Sequence, residues 1–289
     1  MLYSLIALMV LLWSGNYIAA KIAFREFPAL IVMCLRMLMA ALLIGPVYWR
    51  QTRRRETALT LREAGLLALL GIAGIFMNQF FWTLGTSRTT VVHSSMIMAT
   101  IPVWVLLMAG LMRLERITWP KLLGMAIAMA GIALLRMARP GRTVGAATFT
   151  GDILVMLCAL MFAALTTFGK RYRPEGGGIA VNAFAYIGGA IILVPALWWS
   201  GRDFDFARVS WAGWAAVFYM AAFSSVLCYL IYYYALEHIS ASRMAGVQYL
   251  QPVLATVMAM FILGEELTAS TVAAGGTILA GVYVTERFG

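Results

Sequence analysis

A chain of 289 residues that is 63% hydrophobic and only 12% charged cannot cover itself with polar surface, so a soluble globular fold is excluded. Its net charge of +10 sits in short loops between apolar runs, where lysine and arginine fix membrane orientation, so it does not point to a nucleic-acid partner. Mean hydropathy is +0.86, and no polar stretch is long enough for a soluble domain, which confines function to the membrane and its two surfaces and excludes most enzymes.

Apolar runs of the length a helix needs to cross a bilayer recur along the whole chain. They predict an all-α integral membrane protein with transmembrane helices over residues 3–22, 28–49, 64–86, 89–112, 118–135, 151–169, 178–200, 211–236, 240–263 and 268–286. The opening "MLYSLIALMVLLWSGN" has neither a leading basic stretch nor a small-residue cleavage site, and reads as an uncleaved first span. If the N-terminus is cytoplasmic, the inner loops carry more lysine and arginine than the outer ones, which places both termini in the cytoplasm.

Polar and aromatic residues punctuate these spans. Trp13, Asn16 and Tyr17 share one face of the first, at i, i+3 and i+4. Arg36, near the middle of the second, has two readings, a receptor for a substrate carboxylate or a structural arginine that snorkels or caps carbonyls, and the second is the weightier. Asn78, Gln79 and Trp82 fall on the third span. His93, early in the fourth, reads as a proton carrier, a substrate contact or a structural histidine. In the second half, Phe162 and Thr166 share a face, and Gln248 and Gln251 flank Tyr249 just before Pro252. Tyr229, Tyr232 and Tyr233 share a face of the eighth span, the last two near enough its end to read as an interfacial aromatic belt.

Polar groups at such depth are costly and face the bundle interior or a wet cavity. The candidate substrate-binding set is therefore Trp13, Asn16, Tyr17, Asn78, Gln79, Trp82, His93, Phe162, Tyr229, Gln248 and Gln251. For each, an interhelical hydrogen bond or an interfacial position is the competing explanation. An aromatic, methionine-rich wall with a few amides suits a bulky apolar side chain, because stacking and dispersion hold its body while amides orient its polar end.

The chain also resembles itself. A slide of 150 residues pairs Pro102 with Pro252, Val103 with Val253, Met108 with Met258 and Ala109 with Ala259. It further pairs Glu115 with Glu265, Thr118 with Thr268, Ala130 with Ala280 and Gly131 with Gly281. A slide of 149 adds Trp13 with Phe162, Lys21 with Lys170 and Pro46 with Pro195. Two units follow, residues 1–137 and 151–286, each of five spans. An odd number of spans inverts the second unit relative to the first, and inverted repeats are an architecture of secondary transporters. Pro102 and Pro252 then read as hinges or kinks, which free backbone groups where a cavity can satisfy them.

Every carboxylate falls at a span end or in a loop, so no intramembrane acid is provided for a coupling ion, and a facilitator with weak or no ion coupling is expected. Glu115 and Glu265 are expected to cap the helices that follow them. Cys34, Cys158 and Cys228 lie in apolar runs without metal-ligand spacing and read as packing residues. Small residues Gly124, Ala128 and Gly131 in the fifth span, with Gly276 and Ala280 in the tenth, offer close-approach faces for packing or for dimerisation. No metal or cofactor is expected. The expected partners are a small-molecule substrate and membrane lipid, for a monomer or weak dimer.

The pattern "LLWSGNYIAAKIAF", the arginine in "CLRMLMAALL" and the two proline-to-glutamate units resemble the drug/metabolite transporter superfamily, in particular its ten-helix EamA-type members. The resemblance covers essentially the whole chain and is closest to the YddG-like exporters of aromatic and other bulky amino acids. It implies export of metabolites across a bacterial inner membrane by alternating access. Two other readings stand beside it, a proton-coupled exporter of other small metabolites or drugs, and a membrane-embedded enzyme. The enzyme would need an HExxH-type metal pattern or a mid-span carboxylate pair, and the sequence has neither.

Overall fold

The computed structural model describes residues 2–53, 60–112, 118–137, 147–172, 177–239 and 250–287, and its long elements are all helices. In chain order they are α1 (Leu2–Glu26), α2 (Ala29–Thr52) and α3 (Leu61–Thr86). Next come α4 (Val91–Met98), α5 (Ile101–Leu111), α6 (Trp119–Met137) and α7 (Phe149–Tyr172). The chain continues with α8 (Gly177–Gly201), α9 (Trp211–His238), α10 (Leu250–Leu263) and α11 (Ala269–Arg287). Among the described residues, 7 helical stretches are long and apolar enough to cross a membrane, α4 and α5 together supplying one, and α6, α10 and α11 contain shorter apolar helices. Part of the ninth expected span, residues 240–249, lies outside the described residues.

Hydroxyl caps start many of these helices. Thr60 opens α3 with Glu63 in a reciprocal capping box, satisfying two backbone amides that have no helical partner. Thr90, Thr148, Ser210 and Thr268 accept from the amides of His93, Gly151, Gly213 and Thr271, and so open α4, α7, α9 and α11.

The fourth span is not one continuous helix. It breaks at Ala99 and Thr100, and Pro102 sits in the first turn of α5, where its missing N–H costs nothing. Pro252 likewise lies in the first turn of α10 as described. Wide π-helical turns interrupt α3 at Leu69–Phe76 and α9 at Met220–Leu227, stretches that start 151 positions apart, and α10 ends in another at Ala259–Leu263. The first of these coincides with close backbone approach. A Cβ on Gly71 would lie 2.7 Å from the Ala185 amide nitrogen of α8, and one on Gly74 would lie 2.5 Å from Leu165 of α7.

Helices that occupy matching places in the two halves pack on each other, α2 on α8 and α6 on α11. At the second crossing a Cβ on Gly131 would meet Ile278 and Ala274, and one on Gly281 would meet Ala128 and Gly124, at 2.3–3.1 Å. The small face of α6 is thus consumed within the chain. On α11 the expected register is off by one or two positions: Gly276 and Ala280 face outward, and Ala274, Ile278 and Gly281 make the seam.

The outside is apolar. Leu42, Leu61, Ile191, Phe261 and many others are exposed, as lipid-facing residues are. Exposed Trp49, Trp119, Trp198 and Trp211 lie near helix ends, where an aromatic belt belongs, and Arg53 and Arg202 cover Trp49 and Trp198 at 3.8 and 4.7 Å. Tyr232, expected in that belt, is instead 2% exposed and part of the core. Cys34, Cys158 and Cys228 are free and buried, and Lys21 is 6% exposed within α1.

Candidate functional site

Nine of the eleven candidate binding residues line one central cavity: Trp13, Asn16 and Tyr17 of α1, Asn78, Gln79 and Trp82 of α3, Phe162 of α7, Tyr229 of α9 and Gln251 of α10. Arg36 of α2, Met98 and Ile101 complete the lining. About 40 Å³ of this space is open to the centre of a water molecule, enough for a few waters. A substrate the size of an aromatic side chain would therefore have to displace the walls. A larger apolar cleft of about 290 Å³ beside Pro252, Gly275 and Ile278 has no charged lining residue.

The aromatic wall is interlocked. The Trp13 ring meets Phe162 edge-on at 6.1 Å and Tyr229 edge-on at 5.6 Å, and its indole N–H donates to the Ser224 carbonyl at 3.1 Å. Tyr17 meets Trp82 edge-on at 5.3 Å. Tyr232 stands behind, 5.3 Å from the Phe162 ring and hydrogen-bonded to Thr166 at 2.9 Å. These edge-to-face arrangements set a ring's positive rim against its neighbour's negative face, which fixes each orientation.

The amides divide into occupied and unoccupied groups. Asn78 donates to the Cys158 carbonyl at 2.9 Å and accepts from the Tyr229 hydroxyl at 3.1 Å, and Gln79 donates to the same hydroxyl at 3.3 Å. Those contacts match the interhelical alternative. Asn16 differs: its Oδ1 is buried with no hydrogen-bond partner. Arg36, which the sequence reading weighted as structural, is 1% exposed. Its Nε donates to Ser225 Oγ at 2.7 Å and its Nη1 has no partner.

His93 does not line the cavity. It lies 3.3 Å from Asp152, whose other oxygen accepts from Thr89 Oγ1 at 2.6 Å, while Lys21 Nζ donates to the Thr89 carbonyl. Glu265 joins the same end of the bundle. It does not cap α11, which Thr268 opens. Its Oε1 accepts from the Val91 amide at 3.4 Å and so serves the first turn of α4. The end of α1, the α3–α4 turn, the start of α7 and the α10–α11 turn are thereby tied by polar contacts. Gln248 lies outside the described residues, as does Glu115.

A transporter of Archaeoglobus fulgidus is 28% identical over 286 residues, covering 97% of this chain and 96% of that protein. A probable terminal-alkyne amino-acid exporter of Streptantibioticus cattleyicolor is 25% identical over 287 residues, at 98% and 92% coverage. The inner membrane transporter YedA of Escherichia coli is 24% identical over 295 residues, at 98% and 90%. A solved structure of 17% identity superposes with a TM-score of 0.66 over 98% of this chain and 96% of its own, a likeness of fold alone. The EamA-like transporter family matches residues 1–137 and 149–287. The protein, a membrane transporter and not an enzyme, belongs to the EamA-like transporter family.

Proposed function

We propose that the protein exports aromatic and other bulky neutral amino acids, or closely related metabolites, across a bacterial inner membrane by alternating access. The observation that carries this reading is the convergence of aromatic rings and amides from both halves of the chain on one buried cavity. Rings hold an apolar body by stacking and dispersion, and amides orient its polar end. The amino-acid exporter and the inner-membrane transporter among the relatives support the substrate class and the compartment.

The mechanism we propose rests on ten transmembrane helices in two inverted units, residues 1–137 and 151–286, with both termini cytoplasmic. Two features support it. Gly131 against Ala274 and Ile278 is matched by Gly281 against Gly124 and Ala128, and each residue of one set lies 150 positions from its counterpart in the other. Reciprocal contacts of this kind are what a two-fold relation produces, and the numbering falls along α11 as it rises along α6, so the partners run antiparallel. The Lys21, Thr89, Asp152 and Glu265 contacts also join the four chain segments that alternate crossing would bring to one membrane face. Rocking the units about the cavity would break this end and close the other.

Among the described residues no carboxylate lines the cavity, so we read the carrier as a facilitator that moves solute down its own gradient. A proton-coupled exporter is the second reading, favoured by the part-buried His93–Asp152 pair. One experiment tests both. Purified protein in proteoliposomes is assayed for counterflow of labelled tryptophan, phenylalanine and threonine and of a cationic dye, with and without an imposed pH gradient. Amino acid exchange indifferent to the gradient is expected. Dye movement without amino acid movement overturns the substrate class, and strong drive by the gradient overturns the facilitator in favour of proton coupling.

A further inference from the structure

We propose that the guanidinium of Arg36 receives a carboxylate on the transported solute, so that the carrier takes carboxylate-bearing molecules and rejects their amide and amine analogues. This rests on the reading that substrate occupies the central cavity, but not on the assignment to amino acids.

An arginine side chain stays protonated under any condition in which a protein remains folded, and a buried charge is tolerated only with partners. Arg36 is 1% exposed and ranks among the largest fully buried side chains of the molecule. Its partners satisfy it incompletely. Nε is tied to Ser225 Oγ at 2.7 Å, and Cζ lies 5.4 Å from the centre of the Trp82 ring. Among the described residues no Asp or Glu lines the cavity with it, so nothing of opposite charge there offsets the guanidinium.

A structural arginine directs its planar fork at carbonyls or at a carboxylate. Here Nη1 donates to nothing, although the residue lines the cavity. Ser225 belongs to the π-helical turn of α9, and the Tyr186 hydroxyl donates to its carbonyl at 2.8 Å, which fixes the group that orients the guanidinium. The same cavity holds the opposite polarity in the unpartnered Oδ1 of Asn16. A spare cationic donor and a spare amide acceptor complement a carboxylate and an ammonium group. The Trp13, Phe162 and Tyr229 rings complement an apolar body. A bound carboxylate removes the one uncompensated charge in the site, which ties tight binding to that group rather than to the ring alone.

The test compares phenylalanine and 3-phenylpropionate, which carry the carboxylate, with phenylalaninamide and phenethylamine, which do not. Each is used to compete with counterflow of labelled phenylalanine and, independently, to stabilise the detergent-purified protein against heat. In the wild type the carboxylates are expected to act at concentrations at least about tenfold lower than the other two, the discrimination a charged hydrogen bond supplies. R36Q should bring all four within about twofold, and R36K, which keeps charge without the fork, should fall between. Equal response of the wild type to phenylalanine and phenylalaninamide overturns the proposal, as does retention of the preference in R36Q or silence toward all four compounds. Should R36Q fail to fold, the wild-type ratio decides alone. If 3-phenylpropionate stabilises the protein while no amino acid is moved, Arg36 keeps its role and the amino-acid reading falls. If phenylalanine and its amide are moved alike, the reverse holds.

Discussion

At the scale of single residues, Asn78 shows how tightly the site is supported. Its amide joins α3 to the Cys158 carbonyl of α7 and to the Tyr229 hydroxyl of α9. Asn78→Leu is expected to lower stability by about 1–3 kcal/mol, because it removes the bond to the Cys158 carbonyl and leaves the buried Tyr229 hydroxyl without its acceptor. Thermal melting in detergent, with flux measured on the surviving protein, checks this. That Asn16, Asn78 and Gln79 lie inside the bundle was legible in the sequence, since an amide in an apolar run declares itself. What each amide does was not legible, because whether a polar atom has a partner depends on residues far away in the chain. Asn78 and Gln79 share the Tyr229 hydroxyl, whereas Asn16 Oδ1 has no partner. The surroundings of Arg36 were hidden for the same reason: that its Nη1 has no partner is set by the fold. His93 was overweighted, since its partner Asp152 is 59 positions away.

At the scale of helices, hydropathy located the spans well, because a bilayer sets both their length and their composition. It could not show where a helix departs from regular turns. The break between α4 and α5 was expected as a proline bend, but the helix stops at Met98 and restarts at Ile101 after a turn at Ala99 and Thr100. The π-helical turns of α3 and α9 had no signature in the sequence, and the first coincides with the close approach of Gly71 to Ala185, a contact between distant parts of the chain. The small-residue seam on α11 was found but misregistered: Ala274, Ile278 and Gly281, not Gly276 and Ala280, meet α6. The structure separates Gly276 from the seam sharply. Gly281→Ala would set a Cβ 2.3 Å from the Ala128 amide nitrogen, and backbone cannot move as a side-chain tip can. A loss of about 1–3 kcal/mol is expected for it, whereas Gly276→Ala, with nothing within 4 Å, should melt like the wild type. Equal melting temperatures for the two variants would show that α6 and α11 do not pack through this seam.

At the scale of the whole molecule, eight residues recur at one offset between Pro102 and Gly281, and the proposed repeat rests on them. The proposed inversion makes a prediction about sidedness. With Cys34, Cys158 and Cys228 replaced, Arg116→Cys and Glu266→Cys should react with an impermeant maleimide from opposite faces of membrane vesicles. Labelling of both from one face would remove the inverted arrangement and the rocking mechanism with it. The crossing of α6 and α11 carries one more consequence. It lies near Ala128 and Ile278, which are each other's counterparts at a separation of 150 positions. If the two halves trade shapes as proposed, a crossing centred on counterparts maps onto itself and would stand as a stationary spindle through the turnover cycle. A disulfide staple from Ala128→Cys to Ile278→Cys should leave exchange running at its usual pace, a counterintuitive result for a lock driven through the waist of a moving machine.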